Sequence, residues 1–391
     1  MDFLSQHSGE TTKKIKTERN QREAVQNNPQ EWTEQIHKAD LKSLSFEELE
    51  AVLADMGEKP FRAKQIFSWI HEKQVSDFSE MTNLSKVLRE TLSKQSFLTT
   101  LHPVKVLVSK LDGTRKYLFR LADGNIIESV WMEYHHGNSV CISTQVGCRM
   151  GCRFCASTLD GLVRGLSAAE MLEQVYEMRR LMGRRVSNVV LMGSGEPLDN
   201  YNNVVRFIRL LTDGRGLGLS ARNITISTCG LPDGIYRLAK EGLPVTLALS
   251  LHAPDDERRE ALMPIAKKYS LKEVLPACDF YFEQTGRRLS FEYSLVSGVN
   301  DTKEEAQALC TLLGGRSCHV NLIPVNPIKE RNYVRSGQQA IADFKNVLEK
   351  NGINATIRRE MGRDINGACG QLRRSYSETC PERLSVQAGG E

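Results

Sequence analysis

Apolar residues first fall into a helical rhythm at Ser45. Ser45 and Glu48 make a capping box, Leu49, Val52, Leu53 and Met56 then recur on one helical face, and Gly57 closes the segment. Pro60 suits the first turn of a second helix, which carries Ile66, Trp69 and Ile70 on one face, and Val87, Leu88 and Leu92 mark a third. The spacing predicts a small helical domain over residues 41–96. Upstream, residues 1–40 hold only nine apolar side chains among runs such as TTKKIKTERNQRE. So few cannot offset the entropy of ordering the chain, and a flexible tail is expected. Downstream, residues 97–138 are β-rich and punctuated by Asp112-Gly113 and Asp123-Gly124, which predicts a short antiparallel segment.

From residue 139 to residue 350 the pattern alternates between strand and helix. Strands are predicted at about Ser139 to Thr144, Asn188 to Met192, Asn223 to Thr228, Val245 to Leu251, Leu289 to Val296 and His319 to Ile323, which implies six βα units. Capping boxes at Ser167 with Glu170, Ser270 with Glu273 and Asp301 with Glu304 mark helix starts between them. Met171, Leu172, Val175 and Met178 form the apolar face of the first of these helices. Such alternation favours an α/β fold with a parallel sheet wrapped by helices, either open and doubly wound or a full or partial barrel. In each case ligands gather at the carboxyl ends of the strands. Residues 351–391 are left as a C-terminal segment.

Composition narrows the class. With 391 residues and 40% hydrophobic content, the chain can bury one core of roughly 250 residues and carry a smaller domain beside it. MDFLSQHSGETTKK lacks the apolar stretch of a targeting peptide, and no run approaches the roughly 18 apolar residues of a membrane span, so a cytoplasmic chain with no membrane partner is expected. In that compartment ten cysteines are not a disulfide framework, and clustered ones suggest metal or redox chemistry. The balance of 52 basic against 48 acidic residues permits a nucleic-acid partner without arguing for one.

Four cysteines, Cys141, Cys148, Cys152 and Cys155, fall within VCISTQVGCRMGCRFCAST, at and just after the first strand of the alternating region. Cys148, Cys152 and Cys155 follow C-x3-C-x2-C spacing. Three thiolates can hold a 4Fe-4S cluster and leave its fourth iron open to a ligand. The alternative is a zinc site completed by a distant residue, although nothing nearby supplies a matching pair. His135 and His136 lie in an HHGN turn and read as solvated. At the end of the second strand, Gly193-Ser194-Gly195-Glu196-Pro197 offers a turn where backbone approaches a ligand and Glu196 can accept from an ammonium. Thr225 and Ser227 share one face of their strand, Ser250 and His252 one face of theirs, and Ile226 and Leu251 point the other way. Asn326 follows the sixth strand. Such small polar groups either line a ligand or merely satisfy strand ends.

The cysteine loop resembles that of the radical S-adenosylmethionine (SAM) enzymes, with Phe154 at the position where that superfamily usually has an aromatic residue. From about Ser45 to Tyr376, the segments GEKPFRAKQIF, STQVGCRMGCRFCAS, GSGEPL, ALSLHAP, NLIPVNP and DINGACGQL are similar, in order, to the RNA adenine methylases of the RlmN/Cfr family. The resemblance implies a partial (βα)6 radical SAM barrel with a small N-terminal helical domain and a short antiparallel β segment. It implies a 4Fe-4S cluster on Cys148, Cys152 and Cys155, and SAM, two per turnover, bound by Gly195, Glu196, Ser227, Ser250, Leu251, His252 and Asn326. It further implies that Cys369 in GACGQL carries the methyl group as S-methylcysteine. A radical formed from the second SAM would take hydrogen from that group, and the resulting methylene would add to the base. Cys141 would release the RNA by a transient disulfide with Cys369, and Glu128 would accept a substrate proton. The partners implied are 23S rRNA and tRNA, with an external electron donor such as flavodoxin or ferredoxin, and a monomer is expected. Pro197 stands where the C8-methylating Cfr branch typically carries Ala, so methylation at carbon 2 of adenine is expected. A C8 methylase, and a non-enzymatic iron-sulfur or zinc RNA-binding protein, are the alternatives. Arg358, Arg359, Arg363, Arg373 and Arg374 flank Cys369 as a basic patch suited to phosphates, and Lys59, Arg62 and Lys64 beside Phe61 offer a second. Cys229, Cys278, Cys310, Cys318 and Cys380 read as structural thiols.

Overall fold

The computed structural model describes residues 38–326, 332–365, 372 and 376. Strand β1 (Ala39–Asp40) precedes helix α1 (Phe46–Asp55), where Ser45 and Glu48 exchange the two hydrogen bonds of the capping box and Leu49 and Leu53 are buried. Helix α2 (Phe61–Phe67) buries Ala63, Ile66 and Phe67 and runs on into a wider turn that buries Ile70 and His71. In α3 (Lys86–Gln95) the buried face is Leu88 and Leu92, whereas Val87 is 73% exposed. Ala39 and Asp40 are not part of a flexible tail. They pair in parallel with β2 (Ser96–Phe97), and the Asp40 carboxylate accepts from the Thr99 N–H and hydroxyl. The rest of the expected tail, apart from Lys38, lies outside the described residues.

Four strands then run antiparallel to one another: β3 (His102–Val108), β4 (Arg115–Arg120), β5 (Ile126–Tyr134) and β6 (Gly137–Cys141). A separate hairpin, β7 (Gln145–Gly147) and β8 (Leu162–Gly165), frames the cysteine loop. The chain next alternates through α4 (Ala168–Met182), β9 (Asn188–Leu191), α5 (Tyr201–Thr212), β10 (Ile224–Thr228), α6 (Pro232–Ala239) and β11 (Thr246–Ser250). It continues through α7 (Asp256–Leu262), α8 (Leu271–Thr285), β12 (Leu289–Leu295), α9 (Lys303–Leu313), β13 (Cys318–Pro324), α10 (Gln338–Lys350) and β14 (Asn354–Ile357). One ten-stranded sheet results, in the order β14-β13-β12-β11-β10-β9-β6-β5-β4-β3. Its first seven strands are parallel, so β14 adds a strand beyond the six expected from the sequence. The helix α9 is capped by Thr302 with Glu305, not by Asp301 with Glu304, because Asp301 is spent on the Gly298 N–H of the preceding turn.

The helical domain is riveted to α4 by polar groups withdrawn from water. The Lys42 ammonium donates to Glu173 at 2.6 Å and to the Thr99 carbonyl at 2.7 Å, with both charged side chains fully buried, and Arg180 pairs with the same carboxylate. Removing one member of such a set strands a buried charge. Beside it the His71 Nδ1 lies 3.0 Å from the Tyr176 hydroxyl, while its Nε2 has no hydrogen-bond partner among the described residues. Burial first, and the neighbouring Lys42 charge second, hold His71 down to about 3 from its ordinary 6.5. No helix among the described residues is long and apolar enough to cross a membrane.

Because the folded value of His71 lies below the unfolded one, the unfolded chain takes up the proton first. The stability contributed is whole above about pH 6.5 and falls as the pH drops toward 3. At pH 5 the loss from this one group is about 2 kcal/mol, at 1.36 kcal/mol per pKa unit. Urea unfolding at pH 7 and pH 5 should therefore show a smaller loss in His71→Leu than in the parent chain. Equal losses would show that His71 is not held neutral.

Candidate active site

The parallel strands end together, and a cavity of about 430 Å³ opens there. Its floor begins at β6, where Cys141 is the last residue of the strand and packs with Val130 and Met132 of β5. The chain then enters β7 and, after Gly147, turns into the cysteine loop. Gly147 has φ +77°, and a Cβ there would sit 2.0 Å from the Gly161 carbonyl oxygen, so only glycine lets the two sides of the loop close. The Cys148 N–H donates to that carbonyl at 2.9 Å. Further along, the Arg153 N–H donates to the Leu262 carbonyl of α7 at 2.9 Å, and the Thr158 hydroxyl is in hydrogen-bond range of the Cys152 and Cys155 carbonyls. The loop is thus fixed by backbone bonds at both ends and in the middle.

The glycine-rich turn after β9 is packed against the segment that follows β6. A Cβ on Gly195, at φ +109°, would meet the Gln145 backbone nitrogen at 2.7 Å. The Gln145 side chain accepts from the Glu196 N–H at 2.9 Å. Glu196 itself is buried and held: its carboxylate accepts from the Leu198 N–H at 3.0 Å and from the Cys229 N–H at 2.8 Å. Burial raises its pKa above the ordinary carboxylate value, and these bonds oppose the rise.

His252 adopts φ 59°, uncommon for a residue other than glycine, and β12 with the turn after it explains what holds it there. Asn300, fully buried, donates to the His252 and Ser294 carbonyls at 2.8 and 2.7 Å and accepts from the Val296 N–H at 2.8 Å. The His252 Nδ1 accepts from the Ser294 N–H at 2.9 Å, which leaves its proton on Nε2. Burial, with Arg259 second, holds the ring down to about 3, so it stays neutral. Phe154 of the cysteine loop meets this ring edge-on at 4.7 Å.

Of the residues singled out in the sequence, Cys141, Cys148, Cys152, Cys155, Gly195, Glu196, Ser227, Ser250, His252 and Asn326 all line this one cavity. Leu251 does not. It is fully buried, with its N–H on the Glu292 carbonyl. Glu128 is not an edge carboxylate facing water: it sits inside the sheet, 5% exposed, with the buried Lys116 at 3.1 Å. It shares the face of Val130 and Cys141 but lies off the cavity wall. Arg358, Arg359 and Arg363 line the mouth. Cys369, Arg373 and Arg374 lie outside the described residues. The sequence reading missed Cys229, Glu292 and Ser294 on the wall. The period-2 run FEYSL places Glu292 and Ser294 on one face near a strand end, a signal that was present.

The three loop cysteines fit an iron-sulfur cluster by their chemistry. Burial pushes the Cys148 thiol up to about 12 and the Cys152 thiol upward too, and the neighbouring thiols add to both. Thiols so placed give up their protons to a metal centre in their midst. Among the described residues no three such side chains stand close enough to share a single metal ion. A cubane spreads its thiolate ligands over separate irons and asks for a wider triangle.

Comparison with known proteins agrees with this geometry. Residues 39–98 match the family model of the ribosomal RNA large subunit methyltransferase N-terminal domain, and residues 142–310 that of the radical SAM superfamily. A probable dual-specificity RNA methyltransferase RlmN of Lachnoclostridium phytofermentans is 62% identical over 341 residues, 87% of this chain and 96% of its own. Another, from Clostridium perfringens, is 56% identical over 85% of this chain and 96% of its own. The crystal structure of a radical SAM methyltransferase from Sphaerobacter thermophilus superposes with a TM-score of 0.82 at 44% identity, covering 85% of this chain and 98% of that one. The chain belongs to the RlmN family of radical SAM RNA methyltransferases.

Proposed function

We propose that this enzyme methylates carbon 2 of adenine in 23S rRNA and in tRNA, by way of a methyl group carried on Cys369 and a transient protein–RNA adduct that Cys141 resolves. The observation that carries the reading is the meeting of Cys141, the three loop cysteines and the polar strand ends in a single cavity. The radical SAM superfamily uses a 4Fe-4S cluster and SAM. In this reading Cys148, Cys152 and Cys155 hold the cluster, and SAM is held by Gly195, Glu196, Ser227, Ser250, His252 and Asn326, with Leu251 contributing only through its place in the turn. When bound, the cluster supplies the electron that cleaves SAM to a carbon radical.

The chain's own residues do the rest. Carbon 2 of adenine lies between two ring nitrogens and is electron-poor, so an ordinary nucleophilic attack on the SAM methyl group is unavailable to it. Leu372, three residues beyond Cys369, packs with Leu118 and Ile126 on the sheet face that also carries Cys141. Cys141 is buried among Val130, Met132, Val190, Met192 and Met361, away from bulk water, where a resolving thiol meets the adduct and not stray oxidant. Glu128 is the proposed proton acceptor, and to serve it must share or release Lys116. Arg358, Arg359 and Arg363 at the mouth present donors to phosphates, and the adenine enters unstacked. A flavodoxin- or ferredoxin-type donor, a monomeric state and a cytoplasmic setting belong to the same proposal.

Anaerobically reconstituted protein should hold about four irons with matching sulfide, and Ala at Cys148, Cys152 or Cys155 should abolish SAM cleavage. Stoichiometric zinc without iron would overturn the cluster assignment. Mass spectrometry should find one added methyl on the peptide spanning Cys369. The Cys141→Ala variant should stop after the carbon bond forms and accumulate a nuclease-sensitive protein–RNA species on denaturing gels. That species should vanish in the Cys141→Ala, Cys369→Ala double variant. A cluster-loaded Cys141→Ala enzyme that turns over repeatedly would remove Cys141 from the mechanism, and C8-methyladenosine as product would replace carbon 2.

A further inference from the structure

Among the fully buried side chains is a guanidinium with an unusual set of neighbours. Arg259, on α7, is 0% exposed. Its Nη2 donates to the Cys229 carbonyl at 2.6 Å and its Nη1 to the Tyr269 carbonyl at 3.2 Å, while Nε is buried with no hydrogen-bond partner among the described residues. Among the described residues no carboxylate lies within ion-pair distance of it. The other two fully buried cations among the described residues differ: Lys42 pairs with Glu173 and Lys116 with Glu128. A buried charge satisfied only by carbonyl dipoles is costly unless an anion completes the site.

The position of α7 says where that anion would be. The Leu262 carbonyl of this helix receives the Arg153 N–H from the middle of the cysteine loop, and a Cβ on Gly151 would sit 3.4 Å from Pro264. Leu262 and Met263 pack with Cys148, Met150 and Cys229, and with Cys152 and Phe154 at their edge. A Cβ on Gly230 would sit 3.2 Å from the Arg259 Nη2, which places the guanidinium beside the residue after Cys229, and Cys229 packs with the loop cysteine Cys148. Cys229 lies between two buried side chains, its N–H donating to Glu196 and its carbonyl accepting from Arg259. The guanidinium is therefore fixed next to Cys229, which lines the cavity, and does not itself line the wall.

We infer that Arg259 is a fixed positive charge that makes the cluster held by Cys148, Cys152 and Cys155 easier to reduce. This rests on the cluster assignment made above. A 4Fe-4S cluster with three thiolates carries net negative charge, and taking one electron from a low-potential donor adds one more. No bond forms or breaks in this step. A cation at fixed distance in a medium of low dielectric stabilises the reduced form more than the oxidised one and raises the potential. Arg259 touches neither SAM nor RNA in this reading and acts through the electrostatics of the loop.

The test is a potentiometric titration of the full-length, anaerobically reconstituted enzyme without SAM, poised with dithionite and mediators and read by the electron paramagnetic resonance signal of the reduced cluster. At fixed potential, Arg259→Met should lower the ratio of reduced to oxidised cluster about tenfold, equivalent to 59 mV for a one-electron couple. Arg259→Lys, which keeps the charge, should stay within about twofold of the parent. Asp256→Asn, which removes the carboxylate acting on Arg259 and keeps an acceptor for the Leu271 N–H, should move the ratio upward. A Met variant with full iron and sulfide and an unchanged ratio overturns the inference. So does a Lys variant that falls as far as Met, since packing and not charge would then be at work. Should the Met variant fail to load, the Lys and Asn variants decide, and an Asn variant that does not rise refutes it. A parent enzyme without iron and sulfide fails the cluster assignment itself, a distinguishable result.

Discussion

Strand β6 hydrogen-bonds on both edges, antiparallel to β5 and parallel to β9, and the site depends on that double pairing. A parallel sheet alone would end at β6 with an open edge and unpaired backbone groups. The antiparallel strands β3 to β5 cover that edge, and in doing so they carry the row of Val130 and Met132 alongside Cys141. A shift of one residue in the pairing of Val130 with Cys141 would turn Cys141 to the opposite face, away from the cavity. The register is guarded by burial: Val140 and Ile142 on either side of Cys141 are fully buried on the helix-covered face.

What is packed into the cavity wall follows from the low dielectric there. Glu196 and Glu292 are both raised above ordinary carboxylate values by burial, and each is restrained by hydrogen bonds, to backbone N–H groups in one case and to Asn321 and Ser290 in the other. The thiols of Cys148, Cys152 and Cys229 are raised for the same reason. A wall of acids and thiols pushed toward their neutral forms is one whose charged forms gain most from a cation. The glycines serve this arrangement less by flexibility than by absence of a side chain. At Gly193 a Cβ would lie 2.6 Å from the Ile142 carbonyl oxygen, so the turn that delivers Glu196 can press against the chain leaving β6.

Much of this was legible in the sequence where local signals stood alone. Ser45 with Glu48, Ser167 with Glu170 and Ser270 with Glu273 began helices as their spacing required. Where two candidates competed for one helix start the reading failed, because Asp301 and Thr302 differ only in which neighbouring turn claims the side chain. The short strand β14 has only four residues and exposes Asn354, Thr356 and Ile357, too little apolar alternation to stand out. Cys229 and Arg259 could not have been placed. Their significance is a tertiary fact, that α7 and the end of β10 converge on the cysteine loop, and no spacing along the chain records it. The burial of Glu128 was not legible either, because it depends on strands to both sides and on Lys116 across the ladder.

The site sits at a seam, and the seam suits a large substrate. On one side, the ends of β9 to β13 converge with the cysteine loop into a closed, glycine-lined corner of the size a small cofactor needs. On the other, β5 and β4 extend the same surface outward as an open sheet, on which Leu118, Ile126 and Leu372 cluster. A purely barrel-like site would close around its ligand on every side and leave no lane for a polymer. Extending the sheet past β6 instead continues the surface beyond the cavity on that side. Arg358, Arg359 and Arg363 follow β14 at the cavity mouth. In the proposed reading the corner holds what must be kept from water and the extended side admits RNA, so the antiparallel extension that protects the edge of β6 also determines what can reach it.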